Sequence, residues 1–312
     1  MPRIASSVIK QLLLILTVPL WLDCSVASAS ETAAETPARE DSGANPGRSG
    51  FTTGLGEVEL SQAFPDAALW LELEDDDRAL GLFYPEREPP AEGALVLLAD
   101  VGGNAASGVV GGLGLELVER GWAVLSVGLP APSLPLQRSL EERLDNDDQA
   151  AGDGAGDDAS AVMIDVMASP DGESPEQRYR GRVRQSLEAA VEALASRGYD
   201  RPVLLGVGRA SGHLVAAQLA LPNPGIMIWV APEFYPRDAL SLAESLSPRG
   251  TGILELYASR SAGSEDARRR WANLLRAGVE TYERQPVSLQ EPPSRQDAPA
   301  LAGRIDAWLR SR

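Results

Sequence analysis

Residues 202–220 read Pro-Val-Leu-Leu-Gly-Val-Gly-Arg-Ala-Ser-Gly-His-Leu-Val-Ala-Ala-Gln-Leu-Ala. Val203–Leu205 is a short apolar run suited to a buried strand. Gly206 and Gly208 mark a turn, and Leu214, Val215 and Leu219 supply the apolar residues of a helix behind it. Strand, sharp turn and helix in that order are where an α/β-hydrolase carries its nucleophile, in the pattern G-x-S-x-G. The five positions here are Gly206-Val207-Gly208-Arg209-Ala210. The backbone signature of the turn is present and the serine is missing.

The flanking chain alternates strands and helices. Ala94–Ala99 is apolar at successive positions, as in a strand covered on both faces of a parallel sheet. It ends in Asp100-Val101-Gly102-Gly103-Asn104, a loop able to approach a ligand closely. A helix with Val110, Leu113 and Leu117 on one face stops at Gly121, and the strand Trp122–Val127 follows. Upstream, Leu69–Leu73 and Ala79–Tyr84 read as a leading strand pair joined by the acidic turn Glu74–Asp77. Ser174, Pro175 and Gln177 predict a capped helix start, and Tyr179, Val183, Leu187, Val191 and Leu194 its buried face.

Downstream of the opening stretch, Ile226–Val230 and Ile253–Tyr257 are further strands, with a helix near Ala239–Leu246 between them. A helix over Glu265–Ala277 is predicted to turn Trp271, Leu274 and Leu275 inward and to leave Arg268, Arg269 and Arg270 largely in solvent. Val279–Tyr282 and Val287–Leu289 form a last strand region, and a closing helix sets Leu301, Ile305, Trp308 and Leu309 on one face. The sum is a mostly parallel sheet with helices on both faces. The leading pair, the elbow after the third later strand and the closing helix give α/β-hydrolase order.

Composition narrows the classes of function. The chain has 312 residues, room for one large domain or two small ones, and a net charge of -17. That balance disfavours nucleic acid and anionic membrane surfaces, both of which need basic protein. Arg3 and Lys10, the apolar run Leu12–Leu22 and Ala27-Ser28-Ala29 predict a signal peptide over residues 1–29 that directs export to the periplasm, with no transmembrane segment in the mature chain. Cys24, the single cysteine, leaves with it, which removes disulfides and thiolate chemistry. Residues 30–50 read as a flexible linker, and 51–312 as the α/β-hydrolase-like domain. Within it, residues 130–175 are expected to be an acidic, largely disordered insertion, with ten acids and no Lys or Arg from Asp145 to Gln177. Val162-Met163-Ile164 and Val166-Met167 form an apolar island inside that segment.

A serine hydrolase needs a nucleophile, a histidine to take its proton and an acid to orient the histidine. At the elbow stands Gly208, which has no side chain. After Ile253–Tyr257 the chain runs Ala258-Ser259-Arg260-Ser261, with no acid before Glu265. The loop before the last helix, Gln290 to Asp297, has no histidine. The one histidine, His213, lies two residues after Ser211; on a helix such residues diverge, so Ser211 and His213 are candidates for a catalytic pair only if the helix starts between them. Otherwise Ser211 is a helix cap. Gly206 to Ser211 half-matches the dinucleotide fingerprint but lacks the third glycine, and no cofactor is expected. One histidine and no mature cysteine leave no metal site. The candidate ligand surface is the C-terminal edge of the sheet, with Asp100, Gly208, Arg209 and Ser211.

These pieces resemble a known family. The leader, Leu97-Leu98-Ala99-Asp100-Val101-Gly102-Gly103, Gly121–Pro130, the acidic insertion, the arginine-bearing helix after it, Leu204–Gly208 and the closing Trp308-Leu309 are similar to the domain-of-unknown-function family numbered 3530, exported proteobacterial proteins with an α/β-hydrolase-like fold. The resemblance covers about residues 51–312. Its members carry Gly-His-Gly-Thr-Gly at the elbow, again with glycine in the nucleophile position. Val207 and Ala210 depart from that pattern. The family has no established activity, so the resemblance implies fold and export and carries over no catalytic residue. The reading is an exported, non-catalytic protein that binds a small ligand or an envelope protein. The alternative is an ester or lipid hydrolase using Ser211.

Overall fold

Apolar side chains that alternate along each central strand must be covered on both sides, and the computed structural model covers them with two helical layers. It describes residues 56–142, 172–220, 225–246, 251–260 and 263–312, all within the compact unit Ser49–Arg312. Eight strands among these residues form one sheet in the order β1-β2-β4-β3-β5-β6-β7-β8. β1 (Ala68–Glu72) and β2 (Arg78–Tyr84) are the leading antiparallel pair, and β2 pairs antiparallel with β4 (Trp122–Leu129). From β4 onward the pairing is parallel, through β3 (Gly93–Val101), β5 (Val203–Val207), β6 (Ile226–Val230), β7 (Gly252–Ala258) and β8 (Tyr282–Val287). The fold is that of the α/β-hydrolases.

The two faces have separate cores. Leu95 and Leu97 of β3, Leu205 and Val207 of β5 and Leu254 and Leu256 of β7 pack under α2 (Gly108–Val118) and α8 (Ala298–Leu309). Val96, Leu98, Leu204, Met227 and Trp229 point the other way, against α4 (Pro175–Ala195), α5 (Ala210–Ala220) and α6 (Pro236–Leu246). The predicted start of α4 is realised as a full capping box: Gln177 N donates to Ser174 Oγ at 3.1 Å, and Ser174 N donates to Gln177 Oε1 at 2.8 Å.

Several expectations change. The predicted insertion is ordered at its start: α3 (Leu134–Glu141) buries Leu136 and Leu140 in the core, an apolar pair at helical spacing. Residues 143–171, with the acidic stretch and its apolar island, lie outside the described residues, as do the leader and the linker. A further helix, α1 (Glu57–Ala63), precedes β1. The last strand is the continuous β8, with Tyr282 and Val287 buried at its two ends and polar residues between them that hid it from an apolar search. On α7 (Gly263–Arg276) the buried residues are Ala267 and Leu274, while Trp271 and Leu275 are exposed. Arg270, expected in solvent, is drawn inward by an acid on β7.

Candidate functional site

Parallel strands end together, so the loops after β3, β5, β6 and β7 converge on one edge of the sheet. There they enclose a cleft of 1330 Å³. Asp100, Gly208 and Arg209 line it, with Phe234 and Leu240 from the β6–α6 side, Tyr257 from β7, and Pro292 and Pro293 from the loop before α8.

The elbow forms as its glycines require. Gly208 sits at φ +56°, a left-handed conformation that glycine adopts without strain. Gly206 packs tightly beneath it: a β-carbon there would lie 3.0 Å from Leu214 Cδ1 and from the backbone of Ala210. Gly208 N donates to Val230 O at 3.0 Å, and Glu233 N donates to Gly208 O at 3.0 Å, which ties the turn to β6 and the segment after it.

Asp100 occupies the place of the missing side chain. A β-carbon on Gly208 would lie 2.5 Å from Asp100 Cγ, Oδ1 and Oδ2. The carboxylate is held by two backbone amides: Arg209 N donates to Oδ1 at 2.9 Å and Val101 N at 2.8 Å. In a serine hydrolase the amide after the nucleophile and one from the loop after the third strand form the oxyanion hole. Here the amide after the elbow position, Arg209 N, and that of Val101 at the end of β3 already hold a carboxylate that belongs to the chain.

Arg209 extends from the turn along the cleft wall. Its Nε lies 3.3 Å from Glu233 Oε2, its Nη2 3.7 Å from Glu141 Oε1, and its guanidinium 4.4 Å above the Tyr235 ring. The Arg209 Nη1 is buried with no hydrogen-bond partner among the described residues. Arg270 reaches the same cleft from α7 and pairs through both carboxylate oxygens with the fully buried Glu255, at 3.1 Å for Nε–Oε2. Tyr282 donates to Glu255 from β8; burial, then the Glu255 charge, pushes its phenol well above the usual range. The sequence signal for this cluster was a single acid inside the otherwise apolar strand Ile253–Tyr257.

The structure does not bring Ser211 and His213 together as a pair. Helix α5 starts at Ala210, so both lie on it, and Ser211 is neither a cap nor a residue of the cleft lining. The fully buried Ser211 donates to Gly206 O at 3.4 Å, beneath the turn. His213 is buried edge-on against Tyr179 at 5.4 Å between ring centroids, and its Nε2 has no partner among the described residues. Burial, with the Arg180 charge second, lowers its pKa to about 3. Of the expected ligand surface, Asp100, Gly208 and Arg209 meet in the cleft. Gly102, Gly103 and Asn104 are not part of the cleft lining, and Asn104 is buried. Among the described residues no cluster of three metal-ligating side chains occurs, and no helix is long and apolar enough to cross a membrane.

Comparisons with known proteins agree with this fold. The chain is similar to the esterase domain of a Rhodothermus marinus protein, at 12% identity and a TM-score of 0.51, over 78% of this chain and 97% of that one. It is similar to Est1E from Butyrivibrio proteoclasticus, at 8% identity and a TM-score of 0.51, over 78% and 98%. An esterase from Pyrococcus furiosus aligns at 7% identity and a TM-score of 0.50, over 78% and 90%. Comparison with curated sequences finds no match. The family described as protein of unknown function (DUF3530) matches residues 11–311.

Proposed function

The chain belongs to the family of proteins of unknown function designated DUF3530, and from that premise we propose that it is a non-catalytic member of the α/β-hydrolase fold that binds a ligand in the strand-end cleft. The observation that carries this reading is the placement of Asp100. Its carboxylate stands where a nucleophile would project from position 208 and takes the amide of Arg209, which would face a tetrahedral oxyanion there, together with the amide of Val101. The composition of the cleft supports a binding role: aromatic and proline walls combine with charged groups of both signs, among them Asp100, Arg209, Glu233 and Arg270, as a site for a polar or charged small molecule would. Export to the periplasm belongs to the same proposal, supported by the leader-like residues 1–29.

The test is turnover of a panel of activated esters by the purified protein, beside Ser211→Ala and His213→Ala. The expected result is hydrolysis no faster than the buffer blank in all three. Robust turnover abolished in both variants would instead establish a hydrolase that uses a non-standard serine.

A further inference from the structure

A hydrolase cleft is electrophilic at its floor: amide N–H groups there wait for a carbonyl oxygen or an oxyanion. In this protein the polarity of the floor is inverted. The two amides converge on Asp100 Oδ1, and what the cleft meets is a carboxylate. A free anion would have to displace a carboxylate tethered to the same chain, which competes at high effective concentration.

The charges around the cleft sharpen the point. Three arginines line it, and each lies beside an acid, although Arg209 keeps one buried nitrogen, Nη1, without a hydrogen-bond partner among the described residues. Arg209 lies against Glu233 and Glu141. Arg270 is paired with the buried Glu255. Arg269 lies 2.8 Å from Glu265 and 3.8 Å from Asp266. Asp100, in contrast, has backbone amides on one oxygen and no cationic partner among the described residues. Phe234 and Tyr257 give the walls aromatic surface, with the Arg270 guanidinium 5.5 Å over the first ring and that of Arg284 5.7 Å over the second, and Leu240, Pro292 and Pro293 give them apolar surface. Aromatic faces favour an organic cation and the apolar surface favours its hydrocarbon body.

We propose that the cleft selects an amphipathic cation, an ammonium group on an apolar or aromatic body, with Asp100 meeting the charge. This inference rests on the reading of the cleft as a ligand site. It separates the cleft from the ester and carboxylate chemistry that the same amides would serve if Asp100 were absent.

A matched pair of probes tests it. Phenethylammonium and 3-phenylpropanoate have similar bodies and opposite charge, and calorimetric titration of the full chain at neutral pH measures both. The expected result is binding of the ammonium and at least tenfold weaker binding of the carboxylate. Asp100→Asn keeps an oxygen acceptor for both amides and removes the charge, so it is expected to fold and to weaken the ammonium roughly ten- to a hundredfold. Asp100→Ala vacates the amides and is expected to reverse the preference, taking 3-phenylpropanoate or acetate. Carboxylate binding to the wild type as tight as the ammonium, or an unchanged ammonium affinity in Asp100→Asn, overturns the inference and leaves the ligand-site reading standing. Binding of neither probe by the wild type overturns both.

Discussion

A β-carbon at position 208 would lie 2.5 Å from the Asp100 carboxylate, on a backbone at φ +56°. Gly208→Ala is therefore expected to cost roughly 1–3 kcal/mol, from overpacking and from the left-handed conformation together. Urea denaturation measures the loss, and combining it with Asp100→Gly recovers the overpacking part; equal losses in both backgrounds would contradict the contact. His213 gives a second prediction at this scale. Burial holds its pKa at about 3, while the unfolded chain protonates near its ordinary value of 6.5. The folded value is depressed, so the stability tied to neutral His213 is present above about pH 6.5 and is lost as pH falls toward 3. Replacing it in His213→Gln should flatten that part of the stability curve relative to wild type. An identical slope in both proteins between pH 6.5 and 4 would refute the assignment. Neither residue's environment is legible in its neighbours: the sequence shows an absent serine at 208 and a lone histidine at 213, and says nothing of what packs on them.

The elements that were easy to read are those whose burial follows one period. The capped start of α4 and the apolar strands Ala94–Ala99 and Ile226–Val230 needed only local pattern, and the structure has them. Elements with few apolar residues carry no such local pattern. In α3 just two leucines reach the core, within a stretch that continues into an acidic run. Leu136→Ala is expected to cost about 2–4 kcal/mol, as a buried leucine truncation does, measured by chemical denaturation. A change within a few tenths would mean that α3 does not share the core. In α7 the pattern pointed to Trp271, yet the inward charge is Arg270, because Glu255 on β7 has no solvent and must find a cation. Glu255→Ala strands Arg270 beside an apolar sheet and should cost about 3–5 kcal/mol, whereas most of that loss should be spared in a double variant that also replaces Arg270 by Leu.

At the scale of the molecule, a hydrolase triad joins three loops that lie far apart in sequence, and here all three differ from the pattern. Restoring serine alone is then insufficient. Gly208→Ser with Asp100→Gly, which opens the two amides, is expected to give no sustained hydrolysis of p-nitrophenyl acetate, since no histidine lies between Gln290 and Asp297 to take the proton. Sustained turnover by that variant would show a base elsewhere in the cleft. The sequence by itself determined the layered α/β architecture, the order of its strands around the elbow and the absence of the standard triad. Apolar periodicity, glycine turns and missing side chains are local quantities that can be read along the chain. Only the tertiary structure decided what stands in the vacancy. Asp100 and Arg209 are 109 positions apart, and parallel pairing of β3 with β5 brings the end of one strand to the turn of the other. The glycine leaves room, and the carboxylate fills it because two amides there need an acceptor.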